Sequence, residues 1–370
     1  MAPTAALPCD DAGRELPHVA IFPFMARGHT VPLTHLAHLL LRRRLATVTF
    51  FTTPGNAAFV RAALPDDVDV VELPFPDGDG RASQGAENVE GIASASSFAA
   101  FAEATTGLRP RFEEALAAMR PAASLLVADG FLYWAGESAG ALGVPRLSFL
   151  GTSAFAHVMR EAFVRDKPGC GPPQCDATGG ATGTYTLKEV ARGLEEAEVN
   201  FLWAVRDDSS DLGIGFHERV QGRGMVTGGW VDQPAILQHD CVRGFLSHCG
   251  WNSVLESMCA GVPLAVWPMM FDQPLNAKLV VDELKVGVRV RSTGGLVKGE
   301  EVSRAVREIM LGETRVSAVK NAAVLAGQAQ HAMSAGGSSW KMVEEMISEL
   351  SGQPTDKASR HTLVASSYVQ

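Results

Sequence analysis

Apolar runs closed by turn signals alternate along this chain with stretches whose apolar residues recur at helical spacing. Residues 18–25 (H-V-A-I-F-P-F-M) form a nearly continuous apolar run and predict a buried first strand. A turn at 26–30 (A-R-G-H-T) follows, and Pro32 opens a predicted helix with Leu33, Leu36, Leu39 and Leu40 on one face. Residues 47–53 and 68–75 predict two more strands, the first closed by Pro54-Gly55-Asn56. Residues 77–91 are Gly-rich and polar and predict a loop. Residues 94–120 predict helix with a break near Pro110, 124–129 a strand, 133–142 a helix and 144–150 a strand. This alternation predicts the α/β class, with a parallel, doubly wound sheet and ligands at the carboxyl ends of its strands, where His29 and Asp129 both fall.

The pattern fails between Asp166 and Thr186, where Gly and Pro are dense and no periodicity survives, so an irregular linker is predicted. It resumes with an amphipathic helix at 187–196, a strand at 200–206, and short buried strands at 244–247 and 263–267. A helix at 273–284, a strand at 286–290 and helices at 300–311, 314–332 and 338–350 complete a second unit, and a polar tail begins at Ser351. The expected division is therefore 1–165, a linker at 166–186, a second domain at 187–350 and a tail at 351–370.

Composition narrows the possibilities. A chain of 370 residues favours two domains, and 46% apolar with 20% charged residues suits a globular protein with real cores. A formal charge of −9, with no basic block beyond Arg42-Arg43-Arg44, speaks against a nucleic-acid partner; the three arginines read as a solvated helix end. No apolar stretch nears the ~18 residues of a membrane span, and the N-terminus lacks the pattern of a signal peptide. A cytoplasmic monomer is expected. The six cysteines (9, 170, 175, 241, 249, 259) show no paired metal spacing, and buried or incidental thiols are the reading. Met269-Met270, Trp203 and Trp267 read as core.

The richest chemistry lies between Trp230 and Gln273. There His248-Cys249-Gly250-Trp251-Asn252-Ser253 forms a strand-to-helix turn, and Val254, Leu255 and Met258 follow at helical spacing. A helix starting at Asn252-Ser253 exposes N–H groups and the positive end of its dipole to an anion. His248, Asn252 and Ser253 add donors for phosphate oxygens, Glu256 could accept from the hydroxyls of a ribose, and Trp230 offers a flat face to a base. Core packing or ordinary capping is the plain alternative at each position.

This stretch, with W-x-x-Q, H-C-G-W-N-S-x-x-E, G-V-P and D-Q at matching spacing, resembles the signature box of plant UDP-dependent glycosyltransferases, the inverting two-domain family acting on small molecules. One position departs, His239-Asp240 standing where His-Pro is common. G-H-T-V-P, V-A-D-G-F, the K-E-V-A-R-G-L-E…N-F-L-W-A-V-R run, P-L-N-A-K and G-S-S-W extend the likeness. The resemblance implies a GT-B fold, two Rossmann-like domains facing across a cleft. It also implies transfer of a sugar, with a lean to glucose from Gln273, from a UDP-sugar to a hydroxyl of a small acceptor.

His29 would be the base and Asp129 its orienting partner, chemistry suited to an imidazole fixed by a carboxylate. A loop histidine and a helix cap are the plain alternatives. Val231 would meet the uracil edge under a stacked Trp230. Gln233 and Glu256 would hold the ribose, and Trp251, Asp272 and Gln273 the sugar hydroxyls. His248, Asn252, Ser253 and the helix start would offset the diphosphate charge without a metal.

Relatives carry a long segment between the equivalents of Arg165 and Leu187. It includes acceptor-pocket helices and the second domain's first strand, whose loop touches the donor phosphates. Its loss predicts a second sheet lacking that strand, and an unpaired edge or void is costly. A catalytically inactive relative that still binds nucleotide or a partner is therefore the competing reading. A nucleotide-binding oxidoreductase is disfavoured, since M-A-R-G-H-T replaces the required glycine fingerprint.

Overall fold

Strand β1 (His18–Phe22) is buried at all five residues, and its alternating side chains enter two different cores. The computed structural model describes residues 15–75, 87–89, 95–166, 186–205, 211–292 and 297–352. The loop expected at 77–91, most of the 166–186 linker, the tail beyond 352 and Cys9, Cys170 and Cys175 lie wholly or largely outside them. The chain divides into two compact units, Met1–Gly151 with Ser338–Gln370, and Thr152–Gly337.

In the first unit β1 is followed by α1 (Arg27–Arg42), β2 (Thr47–Thr52), α2 (Pro54–Ala63) and β3 (Asp69–Glu72). Next come α3 (Ala95–Ala104), a 3-10 turn at Thr105–Leu108, α4 (Arg109–Ala118), β4 (Leu125–Asp129), α5 (Ala135–Ala141) and β5 (Arg146–Phe149). The strands form a parallel sheet in the order β3-β2-β1-β4-β5. Val19, Ile21, Phe50, Leu125 and Val127 face one side, under Leu33, Ala37 and Leu40 of α1. Ala20, Phe22, Phe51, Leu126 and Ala128 face the other, under Phe112, Leu116 and Trp134. Burial on both faces explains why these strands read as continuous apolar runs.

Two expectations change here. His29 lies within the first turn of α1, which starts five residues before Pro32. Arg43 is not solvated: its side chain is 5% exposed, sits 3.6 Å above the Trp340 ring, donates to the Trp340 carbonyl and pairs with Glu344.

The second unit opens with α6 (Ala154–Asp166) and α7 (Leu187–Ala197), the latter begun by Thr186, whose hydroxyl accepts from the Glu189 N–H. Then follow β6 (Phe201–Val205), α8 (Phe216–Arg219), β7 (Gly224–Gly228), α9 (Gln233–Leu237), β8 (Phe245–Ser247) and α10 (Trp251–Ala260). After these come β9 (Leu264–Val266), α11 (Gln273–Lys278) with a π-helical extension over Leu279–Glu283, β10 (Gly287–Arg289), α12 (Gly299–Leu311) and α13 (Thr314–Met333). The last helix, α14 (Ser338–Leu350), belongs to the first unit, with Ile347 buried among Val19, Leu33 and Val48. The observed division thus moves 154–166 into the second unit, where α6 packs on α11, and 338–350 into the first.

Among the described residues the second unit has two separate parallel sheets, β6-β7 and β8-β9-β10. A doubly wound sheet of order 3-2-1-4-5-6 leaves just these two pieces when its first strand is removed. Leu202 of β6 and its cross-strand partner Met225 of β7 are both exposed, so that face of the two-stranded piece is uncovered among the described residues. The two pieces still share one core: Phe201 and Trp203 of β6 and Leu246 of β8 pack with Val190 and Leu194 of α7 and Val302 and Val306 of α12.

The α7–α12 contact depends on Gly193. A Cβ there would lie 2.6 Å from Val302 Cβ and 2.7 Å from the Gly299 carbonyl oxygen. Gly193→Ala is expected to lower unfolding free energy by about 1–3 kcal/mol, read from the midpoint of urea denaturation.

Candidate active site

In the first unit the sheet order reverses between β1 and β4, so the crevice at their carboxyl ends is the topological switch point. His29 enters it from α1 and Asp129 from the end of β4. His29 Nδ1 lies 2.7 Å from Asp129 Oδ2, and the other carboxylate oxygen accepts from the Phe131 N–H at 2.9 Å. Asp129 is 1% exposed and the His29 side chain 23%, so the carboxylate is enclosed and the ring reaches solvent. With Asp129 accepting at Nδ1, the hydrogen belongs on that nitrogen and Nε2 is left as an acceptor. Phe24 and Phe131 flank the ring, with centroids 5.9 and 5.5 Å away, and Phe98 and Phe101 extend this aromatic wall.

In the second unit β8 ends at the His248–Gly250 turn. Cys249 takes a left-handed φ of 64°, and its N–H donates to Ser247 Oγ at 3.1 Å. A Cβ at Gly250 would lie 2.6 Å from His248 Nε2, so a larger residue there would displace that ring. Helix α10 starts at Trp251 with no side-chain cap, and the Val254 N–H donates to the Gly250 carbonyl at 3.1 Å. Gln233 Nε2 donates to Glu256 Oε2 at 2.6 Å and to Ser253 Oγ at 3.2 Å, joining three of the expected donor-site residues. Trp230 is 65% exposed, Val231 is half-buried, and Trp251 packs partly into the core beneath α10. Gln273 Oε1 accepts from the Met269 and Met270 N–H groups, which commits its carbonyl and leaves its NH2 end as the donor. Met270 is exposed, so the expectation of a core methionine fails there; Trp267 is buried as expected.

The family described as "UDP-glucoronosyl and UDP-glucosyl transferase" matches residues 182–324. UDP-glycosyltransferase 90A1 of Arabidopsis thaliana is 35% identical over an alignment covering 90% of this chain and 96% of that protein. The chain belongs to the plant UDP-glycosyltransferase family. Among solved members, Arabidopsis thaliana UGT89C1 superposes with a TM-score of 0.72 at 27% identity, covering 91% of this chain and all of that one. Phytolacca americana UGT2, complexed with UDP-2fluoro-glucose and pterostilbene, gives 0.77 at 22%, with 91% and 99% covered, and shows the shared GT-B fold of two Rossmann-like domains. The alignment with 90A1 runs over 460 residues against a chain of 370, so at least 90 of its positions have no counterpart in this glycosyltransferase.

Two hydroxyls that no local spacing marks lie against the start of α11. Thr152 Oγ1 donates to Asp272 Oδ2 at 2.9 Å, and Ser153 Oγ donates to Asn276 Oδ1 at 2.7 Å. The available signal was Asn276 itself, a polar residue between Leu275 and Ala277 on the buried face of α11.

Burial pushes the Cys249 thiol up to about 12. At neutral pH Cys249 therefore stays a thiol and lacks the reactive thiolate form. In the native protein Cys249 is expected to resist iodoacetamide while exposed Cys241 reacts, as peptide mass spectrometry would read; equal labelling would contradict the burial. The sign of the linkage also follows. The unfolded thiol releases its proton first, so this group's contribution is intact below about 9 and is lost as pH climbs toward 12.

Proposed function

We propose that this chain transfers a sugar, glucose in the first instance, from a UDP-sugar to a hydroxyl of a small-molecule acceptor with inversion, and that His29 is the general base. The observation that carries this reading is the 2.7 Å bond between His29 Nδ1 and the enclosed Asp129 carboxylate. In the proposed step His29 Nε2 takes the hydroxyl proton as the acceptor oxygen attacks the anomeric carbon. The bond from that carbon to UDP breaks on the opposite face, and Asp129 stabilises the imidazolium. The departing diphosphate is met by His248, Asn252, Ser253 and the first turn of α10, fixed dipoles that do the work a metal would otherwise do.

Trp230 stacks on uracil beside the Val231 backbone, Gln233 and Glu256 hold the ribose, and Trp251, Asp272 and Gln273 contact the sugar. Supporting the ribose assignment, Gln233 and Glu256 already lie in hydrogen-bond contact. Glucose is favoured by Gln273 and by relatives such as the anthocyanin 3'-O-beta-glucosyltransferase of Gentiana triflora, although UGT89C1 has been solved with UDP-L-rhamnose. The phenylalanines beside His29 favour a planar phenolic acceptor, and the solved relatives include complexes with pterostilbene and quercetin.

The divided second sheet supports one other reading, a relative that binds UDP without turnover. Steady UDP release from UDP-glucose and a phenolic acceptor decides for the enzyme. UDP-dependent thermal stabilisation without release decides for the binder. If the enzyme reading holds, His29→Ala is expected to cut transfer by about 10²–10⁴-fold while UDP affinity stays within a few-fold of wild type. Full transfer by that variant would overturn the assignment of the base.

A further inference from the structure

Two elements expected to touch the donor, the His248–Ser253 turn and the start of α11, meet Ser153 at a side chain that touches no solvent. Asn276, in the middle of α11, is 0% exposed. Its Nδ2 donates to the Cys249 carbonyl at 3.0 Å and to Asp272 Oδ2 at 2.7 Å, and its Oδ1 accepts from Ser153 Oγ at 2.7 Å. Both amide hydrogens and the carbonyl are therefore used. The Cys249 carbonyl belongs to the left-handed residue between His248 and the start of α10, and such a conformation persists only where its surroundings impose it. The same Asp272 oxygen also accepts from Thr152 Oγ1 at 2.9 Å, which holds the carboxylate in place at the start of α11.

We propose that Asn276 is a positioning residue that holds the His248–Ser253 turn and the Asp272 carboxylate in one arrangement. That the arrangement serves the UDP-sugar rests on the function proposed above. A buried amide does this better than any other side chain of its size. It donates to a carbonyl and a carboxylate at once and carries no charge to desolvate. An aspartate has the same shape but brings a second carboxylate against Asp272, and two carboxylates at hydrogen-bond distance cannot both stay ionised. Protonation restores one donor toward Asp272. The defect of Asn276→Asp is therefore pH-dependent, while that of Asn276→Leu, which has no titratable group, is not.

The test uses the full chain and two readouts. UDP-glucose binding by calorimetry, compared with wild type at the same pH, is expected to weaken about tenfold or more in Asn276→Asp at pH 7.5. At least threefold of that loss should return at pH 5.5, and Asn276→Leu should lose equally at both. Alkylation of Cys249 under native conditions is expected to rise about tenfold or more in both variants, because the turn is released. Near-ultraviolet circular dichroism identifies variants that keep the native fold. Wild-type affinity at both pH values in Asn276→Asp, or a loss in it as indifferent to pH as that of Asn276→Leu, overturns the role at the donor site. Unchanged Cys249 alkylation overturns the hold itself. If the wild-type chain binds neither UDP nor UDP-glucose, the functional reading fails separately, and the alkylation result still decides whether Asn276 holds the turn.

Discussion

Parallel strand pairing is the constraint on which both units are built. In a parallel sheet every carboxyl end lies on one edge, and the helices that follow begin there, so chemistry-bearing turns gather without any specific attraction between them. β1 and β4 are neighbours, and therefore α1 and the end of β4 deliver His29 and Asp129 to within 2.7 Å. β8 and β9 are neighbours, and the turns after them carry His248–Ser253 and Asp272. The apolar interior pays for the sheet, and the polar edge is where function can be afforded.

The second unit shows what happens when such a sheet is interrupted. Two pieces of two and three strands keep their parallel registers and a common helical cover, since Phe201, Trp203 and Leu246 all reach the core beneath α7 and α12. Hydrogen bonding along the strands is local, so each piece closes on itself. The apolar packing is collective, so the pieces stay together under one layer. The cost falls on the facing edges, β6 and β8, each of which pairs on one side alone among the described residues.

Buried amides and hydroxyls bonded to two carboxylates define the polar edge of the second unit. The Cys249 backbone, the Asn276 amide and the hydroxyls of Thr152 and Ser153 converge on Asp272 and Asn276, and the Gln233 amide bridges Ser253 and Glu256. Such contacts fix the geometry of the turn and of the start of α11 through hydrogen bonds that use nearly every polar atom.

Much of this was legible in one dimension because burial on two faces leaves unbroken apolar runs. Residues 18–25, 47–53 and 124–129 announced β1, β2 and β4, and the H-C-G-W-N-S turn announced the start of α10. Local spacing, however, is blind to partners far along the chain. Arg43 reads as a solvated cation until Trp340 and Glu344, 297 and 301 residues away, cover it. Residues 338–350 join the first unit because Ile347 and its apolar neighbours pack into that unit's core, while 154–166 join the second beside α11, next to the Ser153–Asn276 hydrogen bond. Asn276 looks like a misplaced polar residue until tertiary packing brings Cys249, Ser153 and Asp272 around it. By itself the amino-acid sequence determined the strand and helix order and the residue types offered to a nucleotide, because those follow from periodicity and turn chemistry. Only the tertiary structure decided which side chains share hydrogen bonds and where the second sheet divides, because those depend on contacts between segments with no local signal linking them.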